Sequence, residues 1–296
     1  MYIPEIPDFG SPEYEDLISR LLEGMCIFMG AGISKLAGYK LWNELADEIL
    51  RKFSNHKSKI QKPEYLTYSI IKDLEKAAKT TPRKVMDYFY SLDRNFFQYI
   101  LKEIFIEDER KEKNEVFEVL SPIVQVKNNI FVQTNIDKAF QKYFDIPDTE
   151  IGMNPYLPNK PKKLNYLHGR IDKKETWVFT TQQYDHNYLD EKSKTFVFLV
   201  NLFLNNSVLF IGYSLRDFEI KQAISKARLK GQRRTHYFLV PYSLQTATEL
   251  AIEETIFRGN YGIHFIRYNI ENKGHVGLIN VLKALGSVVS YKRLRV

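Results

Sequence analysis

Short apolar runs that end on a glycine or polar turn, each followed by a longer amphipathic run, constrain this chain more than any other feature. Met25-Cys26-Ile27-Phe28-Met29 stops at Gly30-Ala31-Gly32, Asn129 to Val132 at Gln133-Thr134-Asn135, and Ser207 to Ile211 at Gly212. A strand with no polar face must be covered on both sides, which means a parallel sheet between helical layers. Further strands are expected at Leu164 to Leu167, Trp177 to Phe179, His236 to Val240 (stopped by Pro241) and Ile263 to Ile266. Helices are expected from Leu41 to Phe53, with Leu41, Trp42, Leu45, Ile49 and Leu50 on one face, and over about 137–144, 217–230, 243–257 and 275–285. The fold class that follows is α/β, a doubly wound, Rossmann-like parallel sheet with helices on both faces. The segment 56–118 departs from this alternation. Tyr65, Tyr68, Ile71, Leu74, Val85, Tyr88 and Phe89 fall at helical spacing, so it reads as a helical insertion over the sheet, its aromatics ordinary core. Residues 1–296 read as one domain carrying that insertion.

Composition narrows the setting. Of 296 residues 44% are apolar, enough for one large core. No apolar run approaches the roughly 18 residues of a membrane span. The N-terminal stretch is acidic and broken by prolines, unlike a signal peptide. One cysteine, Cys26, excludes an internal disulfide and a multi-cysteine zinc site. A cytoplasmic protein without membrane association is therefore expected. The net charge of +7 favours anionic ligands. Its basic residues are unevenly placed: Lys221, Lys226, Arg228, Lys230, Arg233 and Arg234 lie in one stretch with no acid among them, and Lys160, Lys162, Lys163, Arg170, Lys173 and Lys174 form a second group. Both read first as solvated faces, with nucleic acid or an acidic protein as the alternative.

Ligands of a doubly wound sheet bind outside the carboxyl ends of its strands. Gly30-Ala31-Gly32-Ile33-Ser34 stands there, after a strand and before a helix, where glycine lets phosphate oxygens approach backbone N–H groups. By itself the turn is unspecific. Lys35 breaks the dehydrogenase G-x-G-x-x-G, and no G-K-[ST] follows.

Four motifs together are specific. Gly30-Ala31-Gly32-Ile33-Ser34-Lys35-Leu36-Ala37-Gly38 resembles the glycine turn of the sirtuin family of NAD-consuming proteins. Gln133-Thr134-Asn135-Ile136-Asp137 is similar to the family's Q-N-[IV]-D and closer to the T-N-[YI]-D of bacterial sirtuin-like NAD hydrolases. Leu167-His168-Gly169 looks like the family's L-H-G, and Gly212-Tyr213-Ser214-Leu215-Arg216-Asp217 resembles the G-Y-S-[LF]-x-D turn of the hydrolase branch. Two departures matter. The zinc module of acyl-lysine-cleaving sirtuins cannot be built from one cysteine, and Tyr39 to Leu45 resembles the W-x-x-L of the hydrolases instead of P-D-F-R.

The resemblance implies an NAD⁺ glycohydrolase with NAD⁺ as substrate and no metal. Nicotinamide is attached as a cation and leaves neutral, so the transition state is oxocarbenium-like. The enzyme must hold the ribose, exclude bulk water and place one nucleophile. Asn135 is the candidate for fixing that water or a ribose hydroxyl, and His168 for the general base. By family analogy Asp137 accepts from the nicotinamide carboxamide; a helix N-cap is its alternative. Gly30, Ala31, Gly32, Ser34 and Thr134 are candidates for the dinucleotide, with Gly212, Tyr213 and Ser214 at its adenosine half. Asp217 reads as a helix cap and Trp42 as packing against the sheet. Thr181 and Tyr184 match a T-x-x-[YF] segment of this branch with no assigned mechanism.

The branch serves in anti-phage defence by NAD⁺ depletion. A chain this short has no room for a fused sensor, so the resemblance implies a separate partner, a HerA-like ATPase first and an Argonaute-type protein second. DNA or RNA would then act through the partner, and homo-oligomerisation is expected. Two other classes stay open: an ADP-ribosyl or acyl-lysine transferase on the same pocket, and a non-catalytic module that binds NAD, ADP-ribose or nucleic acid.

Overall fold

A computed structural model describes residues 6–60, 63–109, 113–158, 160–214, 218–231, 233–270 and 276–295, with the side chains of Lys57, Phe218 and Glu219 left aside. Leu215, Arg216, Asp217 and His275 lie outside the described residues, and with them the cap expected at Asp217 and the helix start expected at His275.

The strands are β1 (Cys26–Met29), β2 (Ile130–Gln133), β3 (Ile151–Met153), β4 (Leu164–Tyr166), β5 (Val208–Ile211), β6 (His236–Tyr242) and β7 (Ile263–Asn269). The helices are α1 (Glu15–Glu23), α2 (Ala31–Leu36), α3 (Trp42–Asn55), α4 (Tyr68–Thr80), α5 (Pro82–Leu92), α6 (Arg94–Glu109), α7 (Glu115–Val124), α8 (Ala139–Tyr143), α9 (Thr181–Tyr184), α10 (Lys194–Asn205), α11 (Phe218–Leu229), α12 (Ala247–Tyr261) and α13 (Gly277–Arg293). The strands form one parallel sheet in the order β3-β4-β2-β1-β5-β6-β7. This is the α/β class expected from the alternation of runs.

Alternation within each strand divides the core. Ile27, Met29, Phe131, Leu209 and Ile211 face α1, α7 and α13, whereas Cys26, Phe28, Val132, Val208 and Phe210 face α10 and α11. Met29 pairs with both Gln133 and Ile211, so β1, β2 and β5 end level. The chain leaves β1 for β2 on one side and reaches β5 on the other. The strand order therefore reverses at β1, where such sheets bind ligands.

Helices α3 to α6 pack around a third cluster that includes Ile136, Trp177 and Phe179, which lie beyond the ends of β2 and β4. The insertion lies over the carboxyl edge of the sheet. Its aromatics divide. Phe89 is buried in that cluster, but Tyr65 and Tyr68 are exposed. Helix α7 leaves the insertion and buries Val116, Phe117, Leu120 and Ile123 against the sheet.

Two strand expectations are corrected. Trp177 to Phe179 is extended but joins no ladder. Val178 donates one backbone bond to the His168 carbonyl (3.1 Å), and the Trp177 indole donates to the Arg170 carbonyl (2.8 Å). Its alternating burial, Val178 to the sheet and Trp177 and Phe179 to the helices, imitates a strand. β6 runs through Pro241 to Tyr242. His236 donates toward β7, so by the two-residue period the missing Pro241 N–H points toward β5, whose pairing with β6 ends at Phe238. Ser243 heads a short 3-10 turn, its N–H donating to Thr246 Oγ1 (3.2 Å), and α12 begins after it.

Two members of the second basic group, Arg170 and Lys163, are not simply solvated. Arg170 is buried and grips Asp148 through two nitrogens (2.6 and 3.2 Å) and Asp172 through a third (2.6 Å). Lys163 donates to the carbonyls of Val124, Val126 and Asn129. Among the described residues no helix is long and apolar enough to cross a membrane.

Candidate active site

The level ends of β1, β2 and β5 bring two glycine turns into backbone contact. Gly32 N–H donates to the Gly212 carbonyl (2.8 Å), and Gly30 N–H to that of Ile211 (3.0 Å). A Cβ on Gly30 would stand 2.4 Å from Gly212 O and 2.6 Å from Tyr213 Cα. Gly212 itself has φ +59. The glycines at these positions let two turns interlock, a demand that exists before any phosphate arrives.

A small cleft, partly open to solvent, lies against the first turn. Ala31, Ser34, Thr134, Asn135, Ile136 and Asp137 form its sheet side, and Tyr39, Lys40, Trp42, Leu45, Phe105 and Phe179 the opposite wall. Five of the candidate residues thus converge from two distant segments. The Asn135 amide donates to the Gly30 carbonyl (2.9 Å). Ser34 donates a short hydrogen bond to the buried Asp137 carboxylate, whose other oxygen accepts from Ala139 N–H (3.1 Å) at the start of α8. Asp137 thus stands one residue before Lys138, the N-cap of α8, and ties β2 to the glycine turn. The Lys40 ammonium pairs with Asp108 of α6.

His168 follows β4 and stands one layer behind this wall. It is 4% exposed, with Trp42 edge-on at 6.1 Å and the rings of Tyr184 and Tyr188 at 5.0 and 5.8 Å. Its Nδ1 is 3.4 Å from the Tyr184 hydroxyl, and it also bonds the Thr134 backbone. Burial first, then the nearby Arg83 cation, push its pKa down to about 3, against the Thr134 contact, which raises it. The imidazole is neutral at physiological pH.

The adenosine-side candidates separate. Gly212 forms the interlock and Ser214 is exposed, but the Tyr213 ring is buried on Phe28 (5.2 Å) and Phe210 (5.9 Å), so its side chain serves the core. Trp42 packs on Phe179 (5.4 Å) and His168, not on the sheet as expected, and lines the cleft. Sequence reasoning missed the roles of Tyr39, Lys40, Phe105 and Phe179. The i, i+3 spacing of Trp42 and Leu45 on α3 marked part of this wall; nothing local marked Phe105. Among the described residues no group of three or more His, Cys, Asp or Glu stands together as a metal site.

Comparison with known proteins agrees with the motifs. Residues 129–266 match the model of the SIR2-like domain, which bears out the sirtuin resemblance. Over 240 residues, 75% of this chain, the sequence is 24% identical to the NAD(+) hydrolase ThsA of Cytobacillus dafuensis. The matched region makes up 43% of that protein, so this chain spans less than half its length.

Proposed function

We propose that this chain binds NAD⁺ across the carboxyl ends of β1, β2 and β5 and hydrolyses its nicotinamide–ribose bond, releasing nicotinamide and ADP-ribose. The observation that carries this reading is the meeting of Ser34, Thr134, Asn135 and Asp137 in one cleft at the strand-order reversal. The similarity to an NAD(+) hydrolase supports it.

In the proposed reaction the C–N bond breaks, its electron pair leaves with nicotinamide, and positive charge develops on the ribose. Asn135, its amide N–H anchored to Gly30, turns its carbonyl oxygen to a water or a ribose hydroxyl. Asp137, a buried carboxylate in the cleft lining, is the group assigned to accept from the nicotinamide carboxamide. Trp42 and Phe179 exclude bulk water. Water then adds to the ribose and loses its proton to His168, directly or through a ribose hydroxyl. A histidine with so low a pKa is a weak base.

The test is incubation of the purified protein with NAD⁺, with and without a co-purifying partner and DNA, and assay of free nicotinamide. No acceptor is needed, which separates hydrolysis from transfer. His168→Ala is expected to lose about 10²- to 10⁴-fold in rate while still binding NAD⁺. Hydrolysis by this variant at the unaltered rate would remove His168 from the mechanism.

The burial of His168 behind Trp42 favours one second reading, a pocket that binds NAD⁺ or ADP-ribose without cleaving it. Calorimetric binding with no nicotinamide under any condition would establish it. The physiological part of the proposal rests on the sirtuin-like motifs: NAD⁺ depletion in anti-phage defence by a cytoplasmic homo-oligomer, triggered by a HerA-like ATPase or, as second choice, an Argonaute-type protein.

A further inference from the structure

Helix α10 carries one charge, Lys194 at its first position, in 12 residues. A helix that is apolar on every side normally lies in an interior, whereas a surface helix turns charged residues to water. Here the core takes only part of α10. Phe196, Phe198, Leu199, Val200, Leu202 and Phe203 are buried in the cluster that packs on the sheet and α11. Lys194, Val197 and Asn201, spaced three and four residues apart, form the remaining face, and Val197 is 40% exposed. A groove runs along this face. Leu157 and Pro158, from the loop between β3 and β4, meet Val197, Phe198 and Asn201 along it, and the exposed Lys192 and Lys194 supply its charges. Lys160 and Lys162 of the second basic group, also exposed, follow Pro158 in the chain. The acids next to these lysines in sequence are committed elsewhere. Glu191 pairs with Lys226 (2.8 Å), and the Asp190 carboxylate accepts from the Lys192 N–H (2.9 Å).

The occupant of such a groove has to supply apolar side chains and carboxylates together. A nucleic acid backbone lacks the first. A second copy of this chain, docked through the same patch, would set lysine against lysine. We propose that the groove docks an acidic amphipathic helix of a partner protein, its apolar side chains against Val197, Leu157 and Pro158 and its carboxylates at Lys192 and Lys194. The groove shares no lining residue with the cleft, so partner and substrate occupy separate sites.

The test is fluorescence anisotropy of the whole protein with a labelled synthetic helix of about 18 residues, about five turns, bearing leucines on one face and glutamates beside them. Saturable binding that weakens as salt is raised is expected. Val197→Asp should weaken it by about 10-fold or more, and so should Lys192→Glu combined with Lys194→Glu. Lys230→Glu combined with Lys283→Glu changes the net charge by the same amount away from the groove and should leave binding within about two-fold. Asn201→Glu, on the same face, replaces Val197→Asp if that variant does not fold. No binding of the peptide, binding indifferent to Val197→Asp, or an equal loss in the Lys230 and Lys283 variant overturns the proposal. So does tighter binding of duplex DNA or of phosphatidylserine vesicles at Lys192 and Lys194, which would make the patch a phosphate-binding surface. The readout needs no turnover, so peptide binding by a protein that never releases nicotinamide would uphold the groove and refute only the hydrolase reading.

Discussion

The side-chain amide of Asn135 donates to the carbonyl of Gly30 at 2.9 Å, so a residue beyond β2 is fastened to the turn beyond β1 across 105 positions of sequence. One N–H of the amide is spent on the fold, and the oxygen at its other end is aimed by that bond.

Asn135→Ala removes both the anchor and the oriented oxygen. A loss of about 10²- to 10³-fold in nicotinamide release is expected. The stability cost should be only about 1 kcal/mol, the worth of one hydrogen bond. Asn135→Asp, which puts a carboxylate oxygen where the N–H donates, should lose a similar factor. Full activity in either variant would contradict the assignment, and matched thermal melts would separate activity from folding.

Gly30→Ala tests the interlock. Its Cβ would meet the backbone of Gly212 and Tyr213, which cannot yield as a flexible side chain would. Destabilisation of about 1–3 kcal/mol is expected, read by urea unfolding. Gly212→Ala adds a left-handed residue, costing about 1–2 kcal/mol more. An unchanged midpoint in both would mean that the turns separate freely.

The depressed pKa of His168 has a signed consequence. The unfolded chain gains a proton on this residue below about 6.5, whereas the folded protein does so only near 3. Stability should therefore fall as pH drops through that window, by up to about 1.4 kcal/mol per pH unit. His236, also buried and pushed to about 3 chiefly by desolvation, acts in the same direction. Asp148, held at about 2 first by Arg170, keeps its contribution above its unfolded value of 3.8 and loses it only below, so it does not mask the effect between pH 7 and 5. Urea unfolding at pH 7 and 5 should show a shallower dependence in His168→Gln than in the unaltered protein; equal slopes would refute the depressed pKa. For the same reason kcat/KM should show no acid limb between pH 8 and 5. A limb near 6.5 would point to another base.

Arg170 is buried with its charge divided between Asp148 and Asp172, and the Gln141 amide oxygen accepts from it at 3.1 Å. Two residues after His168, it pins the turn that carries the histidine. Arg170→Met should cost about 2–4 kcal/mol, since Gln141 and the turn lose charged donors that water reaches poorly. Nicotinamide release should fall further than the fraction unfolded accounts for. If activity tracks the folded fraction alone, the arginine only stabilises.

Most of the sheet and the location of the site were legible because both depend on local chemistry. The apolar runs at β1, β2 and β5 have no polar face, and glycine or amide-bearing turns end them. Only β3, three residues long with its outer residues half-buried, carried too weak a signal. Pro241 misled for a local reason as well: its lost donor matters only where a neighbouring strand waits for it, and β5 has already ended there.

The sequence by itself determined the parallel α/β fold and the four turns that gather at its carboxyl edge, because periodicity and turn residues act within a few positions. Tertiary structure alone decided the order β3-β4-β2-β1-β5-β6-β7, the aromatic wall that α3 and α6 bring to the cleft, and the dry setting of His168 beneath Tyr184 and Arg83. Desolvation and ring contact come from whichever segments arrive from far along the chain, and no local pattern records them.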